Sequence, residues 1–153
     1  MRQALQARVE PMPSAERGLE AELTLSVPSR IELVEEAVEL VSRHLEASFV
    51  DRHTIRFNLR VALTEALANA ILYGNSEAHD RPVLVRVLFG RHAVELEVTD
   101  QGDGFDPRFV PDPTLPANLA RPYGRGLFLI RRLMDEVRFN ESGNSICMIL
   151  RRA

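Results

Sequence analysis

Apolar and polar residues alternate along the chain with two different periods, and the switches between them lay out its elements. Leu23, Leu25 and Val27 alternate with Glu22, Thr24 and Ser26, the two-residue period of a half-buried strand, which Pro28 stops. Ile31, Val34, Val38, Val41 and Leu45 then recur at three- and four-residue steps, which predicts an amphipathic helix from residue 31 to about 48. Ser29 and Glu32 have the spacing of a capping box at its start. A second helix is predicted over roughly 52–72, with Leu59, Leu63, Ala66, Leu67 and Ala70 as its apolar face. Residues 83–89 and 93–99 read as a hairpin around Gly90 and Arg91, the second strand alternating Val94, Leu96 and Val98 with Glu95, Glu97 and Thr99. From 105 to 123 the pattern breaks. That stretch holds Pro107, Pro111, Pro113, Pro116 and Pro122 and predicts a long loop. Leu127, Ile130, Leu133 and Met134 then give a short helix. A last hairpin follows, from 136–140 through a turn at Ser142 and Gly143 to 145–151.

Strand, helix, helix, hairpin, loop, helix, hairpin is the order of an α+β two-layer sandwich, with helices covering one face of a mixed, mostly antiparallel sheet whose other face stays wet. The chain has 153 residues, 45% hydrophobic and 27% charged, so one globular domain is expected over 20–153. Residues 1–19, with Pro11, Pro13, Gly18 and no sustained period, are expected to be a flexible leader. All 19 basic residues are arginine, which excludes chemistry that needs a lysine, such as a Walker A loop or a Schiff base. A net charge of −3 gives no global attraction to nucleic acid or an anionic membrane, so a protein or small-molecule partner is expected. No run is long enough to cross a bilayer, and the N-terminus lacks the apolar core of a signal peptide, so the chain is expected in the cytoplasm. Cys147 has no disulfide partner and is expected to pack in the last strand. His44, His53, His79 and His92 show no metal-ligand spacing.

Three clusters carry candidate chemistry. On the second helix Glu65 and Asn69 stand roughly 40° apart, with Asn58 and small Ala62 on the same stripe, so a carboxylate and an amide look out over a shallow floor. Alone, that also describes a solvated polar face. Asp100, Gln101, Gly102, Asp103 and Gly104 follow the strand at 93–99. An Asp at a strand end accepts from an exocyclic amine, and the glycines let the backbone approach a ligand, although the same residues also make plain turns. Gly124, Arg125, Gly126 and Leu127 open the last helix, where free N–H groups and the dipole suit phosphate. An ordinary helix start has the same form.

Together the clusters resemble the motifs of the GHKL, or Bergerat-fold, ATPases, the group of DNA gyrase, Hsp90 and histidine kinases. Glu65-x-x-x-Asn69-Ala70 is similar to the asparagine box, Asp100-x-Gly102-x-Gly104 to the first glycine box, and Gly124-Arg125-Gly126-Leu127 to the second. The short chain and the run from Gly124 to Val137 look most like the anti-sigma factor serine/threonine kinases.

The resemblance implies ATP and Mg²⁺ as cofactors, Asn69 as the magnesium residue, Glu65 as general base, and Asp100 as the contact to the adenine amine. It implies that Gly102 and Gly104 shape the base pocket and that the loop after Phe105 is a lid. Gly124, Gly126 and Leu127 would close on the phosphates with Arg125 as a charge partner, and Ser145 would lie at the adenine side. It further implies a homodimer that phosphorylates an anti-anti-sigma (STAS) protein and binds a sigma factor. The alternatives are a non-catalytic ATP-binding module whose lid is ordered by nucleotide, or a histidine-kinase-like catalytic domain, for which no phosphoacceptor histidine helix precedes the boxes. Tyr73, where many relatives have His, and Asn144-Ser145, in place of a Thr pair, depart from the family pattern.

Overall fold

The computed structural model describes residues 5–11, 19–48, 53–78, 80–90, 92–102 and 122–151. Its strands are β1 (Gln6–Pro11), β2 (Leu19–Val27), β3 (Val83–Gly90), β4 (Ala93–Thr99), β5 (Glu136–Phe139) and β6 (Ser145–Arg151). Its helices are α1 (Val34–Ser48), α2 (His53–Asn69) and α3 (Pro122–Leu133). The strands form one open sheet in the order β1-β2-β3-β4-β6-β5.

Every pairing among them is antiparallel. The connections account for this. Two helices join β2 to β3, so the chain goes out and back and re-enters beside β2 in the opposite sense. One helix joins β4 to β5, which therefore run the same way, but β6 inserts between them and pairs with both. Among the described residues the sheet is therefore wholly antiparallel, and the parallel component of the expected mixed sheet does not form.

The two-residue period becomes rows across the sheet. Leu23, Val87, Leu96 and Met148 stand in register and are all fully buried. Against this face pack Val38 and Val41 of α1, Leu59, Leu63 and Leu67 of α2, and Ile130 of α3. The opposite face carries Thr24, Arg86, Glu97, Cys147 and Arg138 in one row, with Arg86 ion-paired to Glu22. Cys147 is half-buried there, and burial together with nearby Glu95 and Glu97 pushes its thiol up to about 11, which keeps it protonated at neutral pH.

Three local expectations are corrected. Gln6–Pro11, inside the segment expected to be a flexible leader, is an edge strand running from the pair Gln6–Ser26 to the pair Pro11–Ala21. Backbone pairing with the free edge of β2 holds it and needs no apolar alternation, so periodicity carries no sign of it. Residues 1–4 and 12–18 lie outside the described residues. Second, the capping box does not form. The helical segment begins in a 3₁₀ turn, Ile31–Leu33, capped by Arg30 without a side-chain bond. Ile31 is exposed, and Ser29 turns inward to donate from Oγ to the Arg81 carbonyl. Third, α2 does not continue regularly to Leu72. It gives way to a π turn, Ala70–Gly74, closed by the Asn75 N–H donating to the Ala70 carbonyl at 2.8 Å. Single π turns concentrate at functional sites because they displace side chains from the regular helical stripe.

Candidate functional site

A cavity of about 390 Å³ opens between the helices and the sheet, where α2, the end of β4, α3 and the β5–β6 turn meet. Its walls come from all the clusters singled out in the sequence: Asn69 on α2, Asp100 and Gly102 after β4, Leu127 on α3, and Ser145 at the start of β6. Val98, Ile130 and Ile146 add apolar surface. Gly104 and residues 105–121 of the expected lid lie outside the described residues, while Pro122 and Tyr123, also expected in that loop, open α3 instead, so the helix begins before Gly124. Gly124 and Arg125 fall in the first turn of α3, by backbone alone.

The Glu65 stripe does not look out over a shallow floor, as the helical wheel suggests. The end of α3 lies across the start of the stripe: Asn58 Nδ2 donates to the Leu133 carbonyl at 3.0 Å, and Ala62 is fully buried. At the other end Gly126 backs directly onto the box residues. A Cβ on Gly126 would stand 2.9 Å from Glu65 Oε2 and 3.1 Å from Asn69 Nδ2. The second glycine box therefore brings α3 against the asparagine box with no Cβ between them, and an added one would push on the ends of the Glu65 and Asn69 side chains. Glu65 is half-buried beside this contact, whereas Asn69 lines the cavity itself.

At the other side of the cavity Asp100 is held from three directions. Its N–H donates to the Asn144 carbonyl at 2.9 Å, and its Oδ1 accepts from Gly102 N at 2.8 Å. Gly74 presses against its carboxylate so closely that a Cβ on Gly74 would overlap Cγ and Oδ2. Partial burial raises the Asp100 carboxyl above the usual carboxylate range, an effect that the Gly102 N–H bond opposes. Below it the Thr99 and Ser145 hydroxyls share a hydrogen bond of 2.7 Å.

Asn75 is a further residue of the site, one that the sequence analysis does not single out. It is 1% exposed, and its amide donates to Ser29 Oγ at 3.0 Å, to the Arg81 carbonyl at 2.8 Å and to the Pro82 carbonyl at 3.3 Å. Its Oδ1 accepts from Gln101 N at 2.7 Å. The available signal is its place directly after Gly74, where an Asn side chain can bond to nearby backbone.

A sequence profile for the histidine kinase-like ATPase domain matches residues 27–150. The chain is similar to the serine-protein kinase RsbW of Listeria monocytogenes, 31% identical over 98 residues that cover 60% of this chain and 62% of that protein. It is similar to the serine-protein kinase RsbW of Bacillus subtilis at 32% over 100 residues, covering 60% and 61%. The serine/threonine-protein kinase BtrW of Bordetella bronchiseptica matches at 30% over 87 residues, covering 56% and 61%. The chain thus spans about three-fifths of the length of these relatives. Among the described residues no helix is long and apolar enough to cross a membrane. With a profile match that runs from the end of β2 into β6, and with its boxes gathered around one cavity, the chain belongs to the histidine kinase-like ATPase domain family of the GHKL superfamily and within it is similar to RsbW-type serine-protein kinases.

Proposed function

We propose that the chain is an ATP- and Mg²⁺-dependent serine/threonine-protein kinase and anti-sigma regulatory factor of the cytoplasm. In this role it forms a homodimer, phosphorylates an anti-anti-sigma (STAS) protein and binds a sigma factor. The observation that carries the proposal is the meeting of an amide, a carboxylate and the glycine-containing first turns of α3 around one cavity, in a chain similar to proteins named serine-protein kinases.

The cavity suits a purine nucleotide. Apolar walls from Val98, Ile130 and Ile146 fit the faces of a base, and Asp100 offers an acceptor for its exocyclic amine. Gly102 and Gly104 shape the base pocket and Ser145 stands at the adenine side. Gly124, Gly126 and Leu127 present the start of α3 to the phosphates, and Arg125 adds positive charge there. Asn69 is the residue that would hold magnesium, which commonly takes few protein ligands and neutralises phosphate charge when bound. Glu65 accepts the proton of the attacking hydroxyl, a task for a carboxylate held in place next to the reacting groups.

The test is phosphotransfer from labelled ATP to a STAS protein. Formation of a phosphoprotein is the expected result, and nucleotide binding without it would reduce the chain to an ATP-binding interaction module. In calorimetry Asn69→Ala is expected to bring ATP affinity in magnesium down to the value measured without the ion. An affinity that still rises on adding magnesium would place the ion elsewhere.

The raised Asp100 carboxyl gives a pH prediction with a definite sign. The folded state holds this proton more tightly than the unfolded chain, so stability falls as pH rises from the ordinary carboxylate value through the raised one, and stays lower above it. Asp100→Asn, which keeps an oxygen for Gly102 N, is expected to raise the melting temperature at neutral pH, with the gain disappearing on acidification. The same substitution sets an amide N–H₂ or a weaker acceptor against the base amine and lowers ATP affinity roughly tenfold or more. Thermal melts and calorimetry across the acidic range check both; equal melting temperatures at neutral pH would contradict the burial cost.

A further inference from the structure

Asn75 is a side chain with four polar contacts, all to groups that arrive from other parts of the chain. Through its amide it grips the β2–α1 junction at Ser29 and the carbonyls of Arg81 and Pro82, just before β3. Between Asn75 and Arg81 the chain turns through two left-handed residues, Ser76 at φ 50° and Glu77 at φ 58°. The Asn75 amide bridges the turn that they make. Its own N–H closes the π turn that carries Gly74. Its one acceptor faces the opposite way and takes Gln101 N, the backbone group between Asp100 and Gly102.

The Asp100 carboxylate depends on this arrangement at each side. It lies between Gly74, which ends the π turn, and Gly102 N, which follows Gln101. Both neighbours are tied to Asn75, one through the backbone and one through Oδ1. Buried polar side chains with every group satisfied fix one local geometry, because any shift leaves a desolvated donor without its acceptor.

We propose that Asn75 is a positioning residue for base recognition: its Oδ1 bond to Gln101 N sets the Asp100 carboxylate at the distance and angle that select an adenine amine. The proposal rests on ATP occupying the cavity with its base at Asp100. It acts on nucleotide selection and not on the transfer step, since Asn75 touches neither Glu65 nor Asn69 among its hydrogen-bond partners.

Inosine triphosphate, which carries a carbonyl where ATP has the amine, separates this role from a purely structural one. Wild type is expected to prefer ATP, and Asn75→Ala to bring that preference down by roughly tenfold, the size of one hydrogen bond to a charged group. The loss should fall on ATP affinity while inosine triphosphate affinity stays nearly unchanged. Ser29→Ala removes one partner of Asn75 but leaves the Gln101 bond, so it is expected to lower the melting temperature and keep the preference. Asn75→Ser, which keeps a small polar group there but is too short to reach Gln101 N, is expected to lose it as Asn75→Ala does and provides the test if Asn75→Ala does not fold. A preference unchanged in Asn75→Ala or Asn75→Ser, or lost equally in Ser29→Ala, overturns the positioning role. A wild type that binds ATP and inosine triphosphate alike overturns base recognition by Asp100 itself, and the positioning role with it.

Discussion

Glu65→Gln is expected to lower phosphotransfer about 10²- to 10⁴-fold while leaving ATP affinity unchanged, the range that a positioned general base supplies. Structure and chemistry separate here. Glutamine has the size of glutamate, so it keeps the contact with Gly126, where the carboxylate oxygen comes within 2.9 Å of a Cβ position, and α2 and α3 stay packed. The amide cannot take the hydroxyl proton. Because Asn69 rather than Glu65 lines the cavity, the nucleotide keeps its walls. Single-turnover transfer from labelled ATP, with calorimetry on the same preparations, measures both quantities. A transfer rate within a fewfold of wild type would remove Glu65 from the reaction.

The second large effect is expected of Gly102→Ala. A Cβ at Gly102 would overlap the Gly74 carbonyl oxygen and stand 2.9 Å from its carbon. Both are backbone atoms that no rotamer change can move. The turn itself must shift, which breaks the bond from Gln101 N to Asn75 at 2.7 Å and the bond from Gly102 N to Asp100 at 2.8 Å. Two such bonds at a partly buried site are worth ~2–4 kcal/mol, so a clear fall in melting temperature and an ATP affinity weakened about a hundredfold are expected. Denaturant titration and calorimetry test this, and a stable variant with unaltered binding would show that the turn is free to move. Gly74→Ala makes the useful contrast. There the closest overlap is with the Asp100 carboxylate, and only its Cβ, at 2.8 Å, is fixed to the backbone, so the carboxylate is displaced and the site suffers more than the fold.

Much of this was readable because it repeats. Strands β2 and β4 announce themselves by alternation, which places Leu23 and Leu96 on one face whatever the neighbouring strands turn out to be, while β3 and β6 read as strands of hairpins. The helices show their apolar stripes in the same way. The box residues were visible as polar and glycine clusters at the ends of those elements, and the cavity does gather Asn69, Asp100, Gly102, Leu127 and Ser145. Their functional roles follow from the family resemblance and not from spacing.

Features made by unlike segments meeting were not readable. Ser29 and Glu32 have the spacing of a helix cap, but the Arg81 carbonyl, 52 residues away, takes the Ser29 hydroxyl instead. The polar stripe of α2 gave no sign that α3 would cover it, since a helical wheel describes one helix and not its neighbour. The π turn after Asn69 leaves the apolar period almost unchanged, because it alters backbone bonding by a single residue. Local order along this chain thus determined which faces are buried and which residues are chemically able to act, since periodicity and residue type are properties of a segment alone. Tertiary structure decided how near Gly126 comes to Glu65, what Ser29 and Asn75 bond to, and how Asp100 is held, because each depends on where a distant backbone happens to pass.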